Sequence, residues 1–198
     1  MSSNKREAIL EAAIKLFSEK GFKGSSTAEL SSLTGVAEGT IFYHFKTKED
    51  LLLNILERIK TEIIGEFERY VADRKPDNGL DRVEEAICFY LYLAGKMEDH
   101  FLLLHRRYLY ELAQSNPTCR DCLMGIYECL IDIFERAIVE GQTDGSIAEL
   151  PSRKTALLLF SMVDGLVRFK NYHLYDAGAL YAELITASRR MLTSAQTP

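Results

Sequence analysis

The sequence is poor in proline, with four in 198 residues, and holds only four cysteines. It has no uninterrupted apolar run near the ~18–20 residues that a bilayer span needs, so no membrane partner is expected. Scarce proline, with apolar residues recurring at the helical period almost throughout, predicts an all-α protein. No segment alternates as a strand would, and no internal repeat is visible. The opening "MSSNKREAIL" enters an amphipathic pattern rather than a signal-peptide core, so reduced thiols and a cytoplasmic location are expected. Charge of one sign is also in short supply. Residues 1–50 hold seven Lys/Arg and seven Asp/Glu, so the net charge of −5 lies entirely in residues 51–198. That balance excludes a histone-like binder of polyanions and suits a neutral-to-basic face at one end of the molecule. No metal-ligand repeat, nucleophile elbow or phosphate loop supports catalysis. The protein is therefore expected not to be an enzyme and to carry no cofactor and no metal.

What is present is a run of helices. Ile9, Ala12, Ala13, Leu16 and Phe17 form one stripe of a first helix over about 5–20, ended by Gly21 with Lys20 in its last turn. Ser26 followed by Glu29 is a capping box that predicts a short helix from Thr27 to Leu33, with Leu30 and Leu33 facing inward. Gly35 breaks the chain and a third helix begins near Ala37. Two short helices joined by a glycine-containing turn follow the helix-turn-helix plan. Thr47 and Asp50 open a long fourth helix to about Ala72, and "DRKPDNG" is a polar linker. Further helices are predicted over 81–97, 101–114, 118–140, 152–172 and 177–193, about nine in all. The chemistry points to a domain over 1–50 and a second, helical one over 51–198.

The stretch "GVAEGTIFYHFKTKEDL" (35–51) crowds four aromatic rings into about one helical turn and follows them with lysines. In a helix-turn-helix the second member lies in the major groove of double-stranded DNA. Val36, Ile41 and Phe45 supply its inner side, against Leu30 and Phe17. Glu38, Gly39, Phe42 and Tyr43 then point toward base edges, while Thr40, His44 and Lys48 reach phosphates. The same stretch resembles the signature of tetracycline-repressor (TetR) family regulators, and "ILEAAIKLFSEKGFKGSSTAEL" is similar to the helices that precede it, over residues 8 to about 52 in total. The resemblance implies a homodimer on a palindromic operator, usually a repressor released by a small effector. It also implies a phosphate contact at Thr27 and contacts at Thr40, Tyr43, His44 and Lys48, with Glu38, Gly39 and Phe42 facing the groove. Three positions depart from the signature. Ala37 replaces a serine, removing an N-cap at a cost of about 1 kcal/mol. Phe42 replaces a tyrosine, exchanging a hydroxyl for an apolar surface that suits a thymine methyl. Glu38 puts a negative charge where many relatives carry a neutral or basic residue; it suits the helix dipole but repels nearby phosphates unless it accepts from a cytosine amino group.

The later helices are expected to carry the dimer contact and the regulatory input. Leu158, Met162, Leu166 and Phe169, then Leu180, Leu184, Ala187 and Met191, make two apolar stripes that the resemblance assigns to a four-helix bundle with a second copy. The middle helices are rich in aromatic residues, and the resemblance implies a pocket for an apolar or aromatic effector there. Phe89, Tyr92, His105, Tyr108, Tyr127, Met162 and Arg168 are its candidate lining. Cys119-x-x-Cys122, with Cys129 beyond, leaves open a thiol- or metal-responsive alternative, although no zinc-finger spacing follows it.

Overall fold

The computed structural model describes residues 2–176 and 178–193, and among them every regular element is helical. Helices α1 (Ser2–Lys20), α2 (Thr27–Thr34), α3 (Glu38–His44) and α4 (Lys48–Val71) come first. They are followed by α5 (Gly79–Lys96), α6 (Glu98–Leu104), α7 (Arg107–Ser115), α8 (Pro117–Asp144), α9 (Ser152–Asn171) and α10 (Tyr181–Thr193), the last preceded by a 3₁₀ turn over Gly178–Leu180. The helix expected over 177–193 has its first residue, Ala177, outside the described residues. No described helix is long and apolar enough to cross a membrane.

The single helix expected over 101–114 is two, which makes ten α-helices among the described residues rather than nine. Arg106 takes an extended backbone (φ −72°, ψ 129°) and breaks the run. No proline or glycine marks the break. Its cause is distant in sequence: the Arg106 guanidinium donates to the carbonyls of Ser18 and Glu19 at the end of α1. A helix end presents unsatisfied carbonyls, and a guanidinium fork is well shaped to take them.

The chain divides into two compact units. The first comprises Met1–Glu62 with Met97–Ile126. Its core gathers Ile9, Leu10, Ala13, Phe17, Leu30, Ile41, Phe45, Leu51 and Ile55, all essentially inaccessible. Leu10 and Ile14 join the stripe read from sequence because α1 packs on α6 as well as on α2 and α3, so more of its circumference is covered. Leu33, expected inside, is 64% exposed. The inner line of α2 passes instead through Leu30 and, beyond Gly35, to Val36.

The second unit comprises Ile63–Lys96 with Tyr127–Pro198. Val83, Ile87, Phe89, Tyr90, Phe134, Ile138, Leu159 and Val163 are buried in it. Gly79 opens α5 against α8, and a side chain there would put its Cβ 2.0 Å from the Gly141 nitrogen. Only glycine allows that backbone approach. The first N–H groups of α5 are capped across this contact, Gly79 donating to Asp144 at 2.7 Å and Leu80 to the Ser146 hydroxyl at 3.1 Å. Buried polar groups are also answered. Tyr90 donates to Asp164 at 2.7 Å, and Glu66 accepts from Lys96 at 2.8 Å and Arg69 at 2.5 Å, which holds its carboxyl below the usual range.

Candidate nucleic-acid interface

The site is built from the turn outward. The capping box is present at the start of α2: the Ser26 hydroxyl accepts from the Glu29 N–H at 3.1 Å, and the Glu29 carboxylate accepts from the Ser26 N–H at 2.9 Å. Gly35 ends α2 with φ 65°, the left-handed conformation that glycine takes without steric cost. Val36 and Ala37 then lead into α3. Ala37 makes no side-chain cap, so the missing serine does leave the N-terminus of α3 uncapped by its own residue. Thr47 receives the Asp50 N–H at 2.9 Å and opens α4, while the Asp50 carboxylate takes the Lys46 N–H at 2.9 Å.

Helix α3 is divided sharply. Ile41 and Phe45 are each 1% exposed, and full burial of side chains this size stabilises by about 1.5–3 kcal/mol each. On the other side Tyr43 is 82% exposed and Phe42 45%. Gly39 lies open to solvent with nothing near the position of an added Cβ, so another backbone can approach closely there. Thr40 and His44 are half-buried, and the His44 ring meets Tyr43 edge-on at 5.3 Å. Glu38 is exposed and accepts from the Thr27 hydroxyl at 2.8 Å, which ties the first residue of α3 to the first of α2. Seven of the eight residues proposed for DNA contact, Thr27, Glu38, Gly39, Thr40, Phe42, Tyr43 and His44, therefore lie on or beside one outward surface.

Lys48 departs from its expected role. Its ammonium turns inward and donates to the carbonyls of Phe22 and Ser25, 4.4 Å from the centre of the Phe22 ring. Burial pushes its pKa below the usual lysine range, with Glu29 pulling the other way. The loop after α1 ends in carbonyls that need a donor, and this cation supplies it. The geometry supports a brace for the head rather than a phosphate contact. Phe22 in turn stacks on Tyr108 at 4.4 Å with ring planes 8° apart, and the Tyr108 hydroxyl lies 3.4 Å from Glu49.

The seven residues expected to line an effector pocket are divided between the two units. His105 and Tyr108 belong to the first unit, the other five to the second. His105 is buried 6.3 Å from the Phe101 ring, and Tyr108 is engaged as just described. Phe89 packs on Phe67 and Tyr70 at 5.1 and 5.2 Å, and Tyr92 sits by Tyr70 at 5.4 Å. Tyr127 meets Phe160 edge-on at 5.8 Å, Met162 is exposed, and Arg168 lies 3.5 Å from Asp164. A cavity of about 310 Å³ in the second unit is lined by none of them. Of the cysteines, Cys119 is buried and desolvation pushes its thiol up to about 11, while Cys122 is raised for the same reason. Among the described residues no group of three or more His, Cys, Asp or Glu could hold a metal ion.

A compact head with an outward aromatic helix after a glycine turn defines an all-α helix-turn-helix DNA-binding protein. Comparison with known proteins points the same way. The sequence model for "Bacterial regulatory proteins, tetR family" matches residues 9–55. The chain is 27% identical over 175 residues to the fatty acid metabolism regulator protein of Bacillus subtilis, covering 87% of each. Its fold is similar to that of a transcriptional regulator from Saccharomonospora viridis in complex with choline (TM-score 0.83, 22% identity, 98% of this chain and all of the other). It is also similar to FadR from Bacillus subtilis in complex with stearoyl-CoA (TM-score 0.75, 24% identity, 92% of this chain and 96% of the other). The matched residues carry the helix-turn-helix, and over most of its length the chain resembles transcriptional regulators of the tetR kind.

Proposed function

We propose that this regulator represses transcription as a homodimer on a palindromic operator and is released by a small-molecule effector. Residues 1–50 form the DNA-binding domain in this reading and 51–198 the effector and dimer domain. The observation that carries it is the outward side of α3, where Phe42 and Tyr43 stand exposed between fully buried Ile41 and Phe45. Folding alone gives no reason to place two large rings in water on a seven-residue helix, whereas a base-reading surface does. Thr27, Thr40 and His44 flank them with groups suited to phosphate, and Glu38 and Gly39 face the groove. Self-association is supported by α9, which exposes Leu157, Leu158, Met162 and Phe169, and by Leu180 and Tyr181, exposed where the 3₁₀ turn meets α10. The relatives in complex with stearoyl-CoA and with choline support a ligand-responsive reading while differing in ligand chemistry. The thiol-responsive alternative is weakened by the high pKa of Cys119, since the reactive species is the thiolate.

Selection of bound duplexes from a random-sequence pool tests this reading. The expected product is a palindrome with half-sites about one helical turn apart, bound less tightly as salt rises because phosphate contacts release counterions. Enrichment of no common sequence, or affinity independent of salt, would count against it.

A further inference from the structure

The cavity in the second unit lies among the C-terminal part of α4, the linker after it, the start of α5 and the middle of α8. Phe67, Val71, Ala86, Ile133 and Ala137 make its apolar lining. Its size, about 310 Å³, is at the lower end of the range for small-molecule sites. The backbone contact of Gly79 with Gly141 fixes the spacing of α5 and α8 near one end of it.

Three arginines reach this cavity, and they differ in how they are held. Arg74 pairs with Glu85 at 2.8 Å, donates to the Tyr70 carbonyl at 3.0 Å and lies 3.7 Å over the Tyr70 ring. Arg82 pairs with Glu140 at 2.5 Å. Arg136 has no ion-pair partner among the described residues. The acidic neighbours on its own helix are engaged elsewhere, Asp132 and Glu135 by Arg153 at 2.7 and 2.9 Å, and Glu140 by Arg82. The cavity therefore has apolar walls, two neutralised arginines and one unmatched guanidinium whose planar fork fits a carboxylate or phosphate.

We propose that this α4–α5–α8 cavity binds a small amphipathic anion, its apolar body against Phe67, Val71 and Ile133 and its head on Arg136. This rests on the ligand-responsive reading and names the class of effector. A neutral or cationic amphiphile of the same length leaves Arg136 unmatched and binds less well.

Calorimetric titration of the full-length protein with octanoate, octyl phosphate, octan-1-ol and octylamine tests it. Octanoate or octyl phosphate is expected to bind one per chain, at least tenfold tighter than the alcohol or the amine, and the better of the two identifies the head. Arg136→Gln should weaken anion binding at least tenfold with an unchanged thermal midpoint, because Arg136 is exposed, and Arg136→Lys should restore part of it. No saturable binding by either anion, equal binding by octan-1-ol, or an unaffected Arg136→Gln variant would overturn the proposal. Release of operator DNA, followed by anisotropy, separates the two levels. Anion binding through Arg136 without DNA release would refute the ligand-responsive reading and keep the site. Release that persists in Arg136→Gln would keep that reading and refute the site.

Discussion

Helix α3 and the pair α9–α10 both hold large apolar side chains in water, and they do so differently. On α3 the exposed rings of Phe42 and Tyr43 stand among hydrogen-bonding groups, Thr40, His44 and the Thr27–Glu38 pair. On α9 the exposed Leu158 and Met162 lie one turn apart, with Leu157 exposed beside them. A mixed face suits a partner that presents base edges, methyl groups and phosphates together. An apolar face suits a second protein surface, where the gain comes from area removed from water. The two regions therefore predict different responses to the same kind of damage.

Leu158→Arg should have the largest effect. Leu158 is 57% exposed, so the chain should still fold. If α9 meets a second copy, an unpaired charge buried there costs about 3–5 kcal/mol, and sedimentation velocity should find monomer in place of dimer. An unchanged sedimentation coefficient would erase the distinction drawn between the two surfaces.

Lys48→Met sharpens the comparison from inside the head. It leaves the carbonyls of Phe22 and Ser25 without their donor, which should cost about 1–3 kcal/mol of stability. The salt dependence of DNA binding should hardly change. A lysine that contacted phosphate would instead lower the salt slope by about 1 with no loss of stability. Denaturant unfolding and titrations at several salt concentrations together separate the two roles.

Ala37→Ser should restore a side-chain cap at the start of α3 and stabilise the head by about 1 kcal/mol, read from the urea midpoint. The smallest effect is expected at Cys119. Its thiol, raised to about 11 by burial, stays protonated and unreactive through neutral pH, and its thiolate appears only as pH approaches 11. Alkylation at pH 7 to 8 should spare Cys119 and leave DNA binding unaltered. Rapid labelling with loss of binding would revive the thiol-responsive alternative.

The head was the more legible half because its information is local. The Ser26–Glu29 box, Gly35 and the alternation of Ile41 and Phe45 with Tyr43 each act within one or two turns of chain. The features that escaped depend on partners far away in sequence. Lys48 reads as an exposed cation until Phe22 and Ser25 are placed beside it, and the α6–α7 break needs Arg106 to find the end of α1. The second unit was the least legible. Aromatic residues at helical spacing, such as Phe89 and Tyr127, pack on other rings. The apolar cavity walls, Phe67, Val71, Ala86, Ile133 and Ala137, come from three helices with no shared motif. Arg136 stands out only once Arg153 and Arg82 are seen to occupy its acidic neighbours.

The outward side of α3 as the DNA-reading surface is tested most directly by Tyr43→Ala, measured by fluorescence anisotropy on the selected duplex. Tyr43 is 82% exposed, so the thermal midpoint should not move. Affinity should fall by about 1–3 kcal/mol, roughly five- to 150-fold. Wild-type affinity in a normally folded Tyr43→Ala protein would contradict the account.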